Sequence, residues 1–267
     1  MSKPVILLTN DDGINSPGLA AAAEALLPLG RLIIVAPLRQ QTSMSRAMTG
    51  VPEAKFESVP LTVNGTVVEA YSLDASPAAV VRHFFIAQPD IKPDLVVAGI
   101  NYGENIGVSV TTSGTVGATI EAAMRGSPAL AMSLETDIDS QWSYTEQDWS
   151  GGIHFTHFFA EKILLRGLAP GVDILKVEVP TGADVNTPWR MTRLSPSMYY
   201  TPSIINPRLL ESRRSDIVFS KQDGLNEPPD TDAYAIRWVK EVAVTPLIFD
   251  LTARTPLDAV ASWMEGN

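Results

Sequence analysis

The sequence Val5-Ile6-Leu7-Leu8-Thr9-Asn10-Asp11-Asp12-Gly13 begins as an apolar strand and ends as a polar turn. Apolar residues at helical spacing follow over 17–29, after a Ser-Pro start, and a second short apolar run occupies 32–36. Strand, helix and strand at this spacing predict a βαβ unit. Such units build parallel sheets with right-handed crossovers.

The same alternation continues as far as residue 179. Further helices are predicted over 78–87, 116–124 and 153–165, and further strands over 94–98, 129–134 and 174–179. Asn64-Gly65, between apolar residues on both sides, is a two-residue turn signal that predicts a small hairpin. The predicted fold class is therefore α/β, with a mostly parallel sheet flanked by helices.

The pattern changes after Pro180, because prolines interrupt the chain up to Pro229. Strand-like alternation resumes over 233–244, and a short helix is predicted over 257–264. We predict an α/β domain over 1–185 and an extended C-terminal arm over 186–267, with a β-hairpin and a terminal helix. The hydrophobic patches Ile204-Ile205 and 217–219 have little core of their own, so we expect the arm to mediate self-association. The alternative is a loose excursion over its own domain.

Composition narrows the class of partner. The chain has 20 Lys and Arg against 30 Asp and Glu, a net charge of −10, which argues against duplex nucleic acid or an anionic membrane as a partner. It has no cysteine, so a metal must be bound through oxygen or histidine. The apolar run after the N-terminus is too short for a signal peptide, and no run is long enough for a membrane span, so a cytoplasmic location is expected.

Asp11 and Asp12 follow the first strand at the edge where ligands bind in open parallel sheets. Adjacent carboxylates in a partly desolvated loop repel each other, and a divalent cation relieves this repulsion by taking an oxygen from each. The alternative is that both are turn or helix-cap residues. The glycine-rich signatures of dinucleotide and ATP sites are absent from the sequence, so neither cofactor is indicated.

Two further loops are expected at the same edge. The polar loop 39–49 leaves the second strand, and its hydroxyls could complete a metal shell, bind a phosphate or simply face solvent. The glycine-rich segment 99–107 and Ser113-Gly114-Thr115 follow the strand 94–98, and a helix starting near Thr115 would aim free N–H groups at a phosphate. Asn101 offers a neutral oxygen suited to a hard cation. Glycine-rich turns with a helix cap are the alternative.

Four motifs stand in order along this α/β portion: Thr-Asn-Asp-Asp-Gly at 9–13, Ala-Pro-x-Arg-x-x-Thr at 36–42, Gly-Ile-Asn-x-Gly-x-Asn at 99–105 and Ser-Gly-Thr-Val-Gly-Ala at 113–118. The set resembles the SurE family, the stationary-phase survival proteins that act as 5′/3′-nucleotidases. The resemblance recurs at Thr-Asp-Ala, 231–233, and at Val-Thr-Pro-Leu, 244–247.

The resemblance implies a Rossmann-like domain with an exchanged C-terminal arm, a homodimer or homotetramer, and one Mg²⁺ or Mn²⁺ per subunit. It implies Asp11, Asp12, Asn101 and a hydroxyl as metal ligands. When the sequence is aligned with the family's motif at Ala36-Pro37 and Ser45, Thr42 takes the position of the hydroxyl ligand and Ser43 the position where the family has glycine. A shift that makes Ser43 the ligand stays open.

The resemblance also predicts a phosphomonoesterase that hydrolyses nucleoside 5′- and 3′-monophosphates by metal-assisted attack of water. The expected catalytic residues are Asp11, Asp12 and Asn105, and the expected phosphate-binding residues are Asn105, Ser113, Gly114 and Thr115. Residues 75–80 depart from the family's pattern. Two alternatives therefore stay open: a broad-specificity phosphatase or exopolyphosphatase, and a nucleotide-binding protein without turnover.

Overall fold

The computed structural model describes residues 3–266 except 139, 141–142, 205–210, 212 and 223–225, and of Arg214 only the backbone. The strands are β1 (Val5–Thr9), β2 (Arg31–Pro37), β3 (Glu57–Val63), β4 (Thr66–Leu73), β5 (Leu95–Tyr102), β6 (Ala129–Leu134), β7 (Ile174–Val179), β8 (Trp189–Met191), β9 (Tyr200–Ile204), β10 (Ile217–Lys221) and β11 (Val242–Leu247). The helices are α1 (Pro17–Leu26), α2 (Pro77–Ala87), α3 (Gly114–Met124), α4 (Ser150–Arg166), α5 (Asp232–Tyr234) and α6 (Leu257–Glu265).

Nine strands form the main sheet in the order β3-β4-β2-β1-β5-β6-β7-β11-β8. From β4 to β7 every neighbouring pair is parallel, whereas β3 and β11 run antiparallel to β4 and β7. Helices α1 and α4 cover one face and α2 and α3 the other, each over its own apolar core. This confirms the predicted α/β class and the mostly parallel sheet flanked by helices.

The strand order brings the predicted site loops together. β1 lies between β2 and β5, so the loops that leave the carboxyl ends of these three strands are neighbours. β1 is also the point where the connections switch from one side of the sheet to the other, which is where open α/β sheets bind ligands. Asp11 and Asp12 leave β1 at this point.

The Asn64-Gly65 turn is confirmed, but its hairpin belongs to the main sheet. Both turn residues have positive φ, 48° and 75°, as a type I′ turn requires. β4 pairs in parallel with β2, so the hairpin forms one end of the nine-stranded sheet. Both strands extend well beyond the apolar residues beside the turn: β3 reaches back through the mostly exposed residues 57–60, whereas β4 continues through 70–73, where Ala70, Ser72 and Leu73 are buried and pair with β2.

The predicted strand over 233–244 is wrong in its first half. The Thr231 side chain accepts a hydrogen bond from the Tyr234 N–H and caps α5, which continues as a π-helix over Ala235–Val239. Ala233 and Ile236 are buried three residues apart. The buried residues of this segment therefore have the spacing of a helix, although the apolar pattern of the sequence resembled a strand. Helix α1 also ends at Leu26, three residues before the predicted end.

The C-terminal segment contributes both to the sheet and to a separate hairpin. β11 and β8 extend the main sheet, while β9 and β10 pair only with each other among the described residues. Ile204 pairs with Ile217, and Ile205 lies outside the described residues. The division at residue 185 and the role of the arm in self-association stay predictions. No helix within the described ranges is long and apolar enough to cross a membrane.

Candidate active site

Asp11 and Asp12 are buried at the carboxyl edge of the sheet. Their exposed fractions are 5 % and 2 %, and neither carboxylate forms an ion pair within the part of the chain that the structure describes. The loop that holds them is fixed by Asn10, whose side chain donates to the Gly13 carbonyl and accepts from the Gly13 N–H. Among the described residues, these two buried carboxyl groups therefore stand side by side without a basic partner.

The electrostatic consequence is a raised pKa at both carboxylates. Burial raises the pKa of Asp12, and the neighbouring charge of Asp11 raises it further. Burial also raises the pKa of Asp11, although hydrogen bonds from the Thr115 hydroxyl and the first amides of α3 partly oppose this. A cation between the two side chains would remove the cost of this arrangement.

Thr115 and Asn101 bring further oxygens to the same place. The Thr115 hydroxyl lies 2.6 Å from Asp11 Oδ1 and 3.1 Å from Asn101 Oδ1. Asn101 Nδ2 donates to the carbonyls of Gly103, at 2.7 Å, and Tyr102, at 3.3 Å. These two acceptors fix the orientation of the amide, so Asn101 Oδ1 faces the Thr115 hydroxyl, which also contacts Asp11.

Asp12 is held by groups from two neighbouring loops. The Tyr102 N–H donates to Asp12 Oδ2 at 3.0 Å, and Gln40 Nε2 donates to Asp12 Oδ1 at 3.2 Å. The Tyr144 hydroxyl donates to the Asp12 carbonyl, and the Tyr144 ring packs on the Tyr102 ring. The carboxylate therefore has a defined position between the loop after β2 and the end of β5.

A cavity of about 270 Å³ opens beside these groups. Its polar wall includes both aspartates, Asn101, and the hydroxyl residues Thr42 and Ser43 of the loop after β2. Apolar and aromatic groups from the β9–β10 hairpin and from the segment just before β9 complete the wall, namely Met198, Tyr200, Pro202 and Phe219. The cavity thus joins an acidic, oxygen-rich end to an apolar end.

The donor set fits a hard divalent cation. Two carboxylates, one oriented amide oxygen and nearby hydroxyls are oxygen ligands of the kind that Mg²⁺ and Mn²⁺ prefer. The described residues contain no cluster of three or more His, Asp or Glu side chains that could hold a metal, so the carboxylates that could bind a metal at this site are only the two of Asp11 and Asp12. The unpaired buried charge of Asp11 and Asp12 supports the same interpretation.

The predicted phosphate-binding residues divide into two groups. Asn105 and Ser113 lie on the cavity wall, and Ser113 also caps α3 by accepting the Val116 N–H at 3.1 Å. Gly114 and Thr115 lie behind Asp11: a Cβ added to Gly114 would stand 2.7 Å from Asp11 Oδ2. Their contacts are with the carboxylate, and a role towards phosphate stays a prediction.

Several residues of the site were not predicted from the sequence. Tyr102 and Tyr144 hold Asp12, and the hairpin supplies the apolar end of the cavity. These contacts join segments far apart in the chain, so no local pattern indicates them. Lys176 and Glu178 are different, because charged residues inside the apolar strand 174–179 were visible in the sequence.

Fold and site together define a Rossmann-like α/β protein with an acidic ligand site over the carboxyl ends of its first and fifth strands. The chain belongs to the SurE family: the family model described as survival protein SurE matches residues 6–201. The resemblance predicted from the four motifs is therefore confirmed.

Relatives and solved structures agree over almost the whole length. A 5′-nucleotidase SurE from Methanocella arvoryzae is 39 % identical over 253 residues, covering 93 % of each chain. A 5′-nucleotidase SurE from Thermococcus kodakarensis is 40 % identical over 261 residues, covering 96 % of each. The crystal structure of a SurE protein from Aquifex aeolicus superposes with a TM-score of 0.75 at 26 % identity, covering 98 % of this chain and 100 % of that one.

Proposed function

We propose that the protein is a divalent-metal-dependent phosphatase that hydrolyses nucleoside monophosphates to nucleoside and phosphate. The observation that carries the proposal is the convergence of Asp11, Asp12 and Asn101, three oxygen-bearing side chains, beside one cavity. The predicted enzyme class, a phosphoric monoester hydrolase, is confirmed by relatives that carry the name 5′-nucleotidase. The dependence on Mg²⁺ or Mn²⁺ and the activity on 3′-monophosphates belong to the proposal.

Each residue has a role that follows from its position. Asp11, Asp12 and Asn101 would hold one cation, with Thr42 as the hydroxyl ligand. Ser43 has a φ of 61°, a conformation that favours glycine. This supports the alignment of Ser43 with the family's glycine, and that alignment makes Thr42 the hydroxyl ligand. When bound, the cation supplies positive charge to the phosphate and lowers the pKa of a coordinated water.

The chain's own groups bind and orient the substrate. Asn105 and Ser113 lie on the cavity wall, where their side chains can hydrogen-bond phosphate oxygens. The apolar end of the cavity, with Tyr200 and Phe219, provides a surface for the nucleoside. A substrate with a charged head and an apolar, planar body matches these two ends.

Phosphate release under controlled metal supply tests the proposal. We expect the purified protein to release phosphate from nucleoside 5′-monophosphates with Mn²⁺ or Mg²⁺ and to lose this activity in excess chelator, with recovery when the metal returns. A generic aryl phosphate serves as the comparison substrate. Turnover that persists in chelator would contradict the metal requirement.

The same assay separates the alternatives. Equal kcat/KM for the aryl phosphate and the nucleotides would favour a broad-specificity phosphatase, and release from polyphosphate ends would favour an exopolyphosphatase. Nucleotide binding without phosphate release under every metal condition would favour a non-catalytic binding protein. Self-association, and the cytoplasmic location expected from the lack of a long apolar run in the sequence, stay predictions.

Removing the Thr115 hydroxyl is expected to weaken Mn²⁺ binding by about tenfold, because partners of metal ligands typically contribute 10- to 100-fold. Thr115→Val keeps the shape of the side chain but deletes the donor to Asp11 and Asn101. Isothermal titration with Mn²⁺ measures the change.

Thr119→Val is the matched control. Thr119 is fully buried one turn later in α3, but its hydroxyl donates to the Val116 carbonyl of the same helix and, as far as the structure describes the chain, does not reach the site. It should leave Mn²⁺ affinity unchanged. Equal affinities in the two variants would show that the Thr115 hydroxyl does not orient the ligands.

A further inference from the structure

A second polar cluster lies behind the active-site loop. Lys176 and Glu178 project from β7, and Asp232 from α5, and all three side chains are fully buried. Lys176 Nζ lies 3.1 Å from Glu178 Oε1 and 3.1 Å from Asp232 Oδ2. Burial lowers the pKa of Lys176, but the two carboxylates more than offset this and raise it above its usual value, so the side chain is an ammonium.

The cluster holds both backbone polar groups of Asn105. Lys176 Nζ donates to the Asn105 carbonyl at 2.8 Å, and the Asn105 N–H donates to Glu178 Oε2 at 2.9 Å. Asp232 Oδ2 accepts the Gly107 N–H at 3.0 Å. The loop between β5 and α3 is therefore fixed at Asn105 and at Gly107 by side chains from other elements.

These contacts determine where the Asn105 side chain can point. With both backbone groups held, the amide extends to the cavity wall, and its Nδ2 donates to Ser133 Oγ at 3.1 Å. A fixed backbone removes the rotational freedom that a glycine-rich loop otherwise has. A phosphate oxygen would meet an amide already in position.

A purely structural role does not account for a buried ammonium beside two buried carboxyl groups. Burying an ion pair is seldom more stabilising than well-packed apolar residues of similar volume, because each charge loses its hydration. The apolar neighbours Ile174, Val177 and Val179 show that this strand readily holds apolar side chains. The charged residues at 176 and 178 are better explained by their hydrogen bonds to the backbone of Asn105.

We infer that Lys176, Glu178 and Asp232 are positioning residues that hold the Asn105 loop in the conformation that binds phosphate. The inference rests on the proposed function and extends it to residues that do not line the cavity. It also gives a role to the Thr-Asp-Ala motif at 231–233, since Asp232 reaches the loop from the C-terminal segment.

Glu178→Gln tests the inference with the smallest change of shape. It removes one charge and leaves one acceptor oxygen for two donors, Lys176 and the Asn105 N–H. Thr245→Val is the matched control, because Thr245 pairs with Lys176 on the neighbouring strand and its buried hydroxyl, within the described part of the chain, hydrogen-bonds the Thr192 hydroxyl and not the Asn105 loop. Lys176→Met is the second variant, in case the first does not fold.

The readouts are the Kd of inorganic phosphate in saturating Mn²⁺, the Kd of Mn²⁺ itself, and kcat and KM for an aryl phosphate, all at a temperature well below each Tm. We expect Glu178→Gln and Lys176→Met to weaken phosphate binding and lower kcat by about tenfold or more, since misplacement of about 1 Å can cost 100-fold. Mn²⁺ affinity should stay within about twofold, because the ligands Asp11, Asp12 and Asn101 are untouched. Thr245→Val should lower the Tm and leave all three binding and kinetic values unchanged.

Wild-type phosphate affinity and kcat in either folded variant would overturn the inference, as would losses that follow Tm alone and appear in Thr245→Val as well. The phosphate titration does not depend on turnover. A wild-type protein that binds phosphate but hydrolyses no ester would contradict the proposed function, and the phosphate Kd of the variants would still decide the positioning role.

Discussion

Replacing Asp12 by asparagine is expected to lower kcat/KM by about 10³-fold and to raise the thermal stability of the metal-free protein. The activity falls because a cation's charge at the phosphate contributes several kcal/mol, and each 1.36 kcal/mol is a factor of ten in rate. The fold should tolerate the change, because an amide at this position can still accept the Tyr102 N–H and can donate to Gln40 after that side chain rotates.

The gain in stability follows from the direction of the pKa shift. Burial and the charge of Asp11 raise the pKa of Asp12 in the folded protein. At a pH below both pKa values the carboxyl group is protonated in the folded and the unfolded protein, so the raised pKa costs no stability. As the pH rises from the unfolded-state pKa to the raised folded-state pKa, the free-energy cost to the folded protein grows. The advantage of Asp12→Asn should therefore be absent near pH 4, grow with pH, and reach about 1 kcal/mol or more, which is about 2–4 °C in Tm for a chain of this size.

Thermal unfolding at several pH values, in chelator and in Mn²⁺, measures both effects. Mn²⁺ should raise the Tm of the wild type and have little effect on the variant. Asp90→Asn, at an exposed turn, is the control and should change neither activity nor the response to Mn²⁺. A variant that is less stable than the wild type at every pH would contradict the account of unpaired buried charge.

Gly117→Ala is expected to lower the free energy of unfolding by about 3 kcal/mol and to abolish most of the activity. A Cβ at this position of α3 would stand 1.9 Å from the Ser45 carbonyl oxygen, and backbone atoms cannot rotate away. The loop after β2 must then move off the helix. That loop carries Thr42 and Ser43, so metal binding should weaken together with stability.

Gly152→Ala provides the comparison inside another helix, α4. There the nearest atom to an added Cβ would be Ile100 Cδ1, the end of a side chain, at 3.0 Å, while Ile100 Cγ2 and Trp149 Cε3 would be at the ordinary contact distances of 3.8 and 4.0 Å. Because alanine favours a helix over glycine by about 1 kcal/mol, this change should be close to neutral. Chemical denaturation of both variants, with phosphate release as the second readout, makes the comparison. Similar losses in the two would show that the close approach of α3 to the Ser45 loop does not matter.

The regular part of the fold could be predicted because its signals are local. Strands β6 and β7 have the predicted bounds, because apolar residues dominate a buried parallel strand even where Ser133 interrupts β6 and Lys176 and Glu178 interrupt β7. The segment 233–244 could not be predicted in the same way, because Ala233, Ala235 and Ile236 fit strand alternation and helical spacing equally well. The Thr231 cap and packing against Tyr199 and Ala243 determine the outcome.

The site shows the same division. That the loops carrying Asp11, Asp12 and Asn101 would meet could be expected from the shared edge of a parallel sheet. The direction of the Thr115 hydroxyl could not be predicted. It depends on the start of α3 at Gly114, two residues before the predicted start at 116, and on the packing of Gly114 against Asp11. Lys176 and Glu178 gave a usable signal, because a charge at every second position of an apolar strand requires a buried partner.

Anomalous diffraction from crystals grown with Mn²⁺ locates the metal without reference to activity, and so decides whether Asp11, Asp12 and Asn101 bind it. We expect one strong peak per subunit at about 2.1 Å from side-chain oxygens of these three residues, and no such peak in Asp12→Asn. A peak elsewhere in the protein, or none at Mn²⁺ concentrations that support turnover, would contradict this expectation.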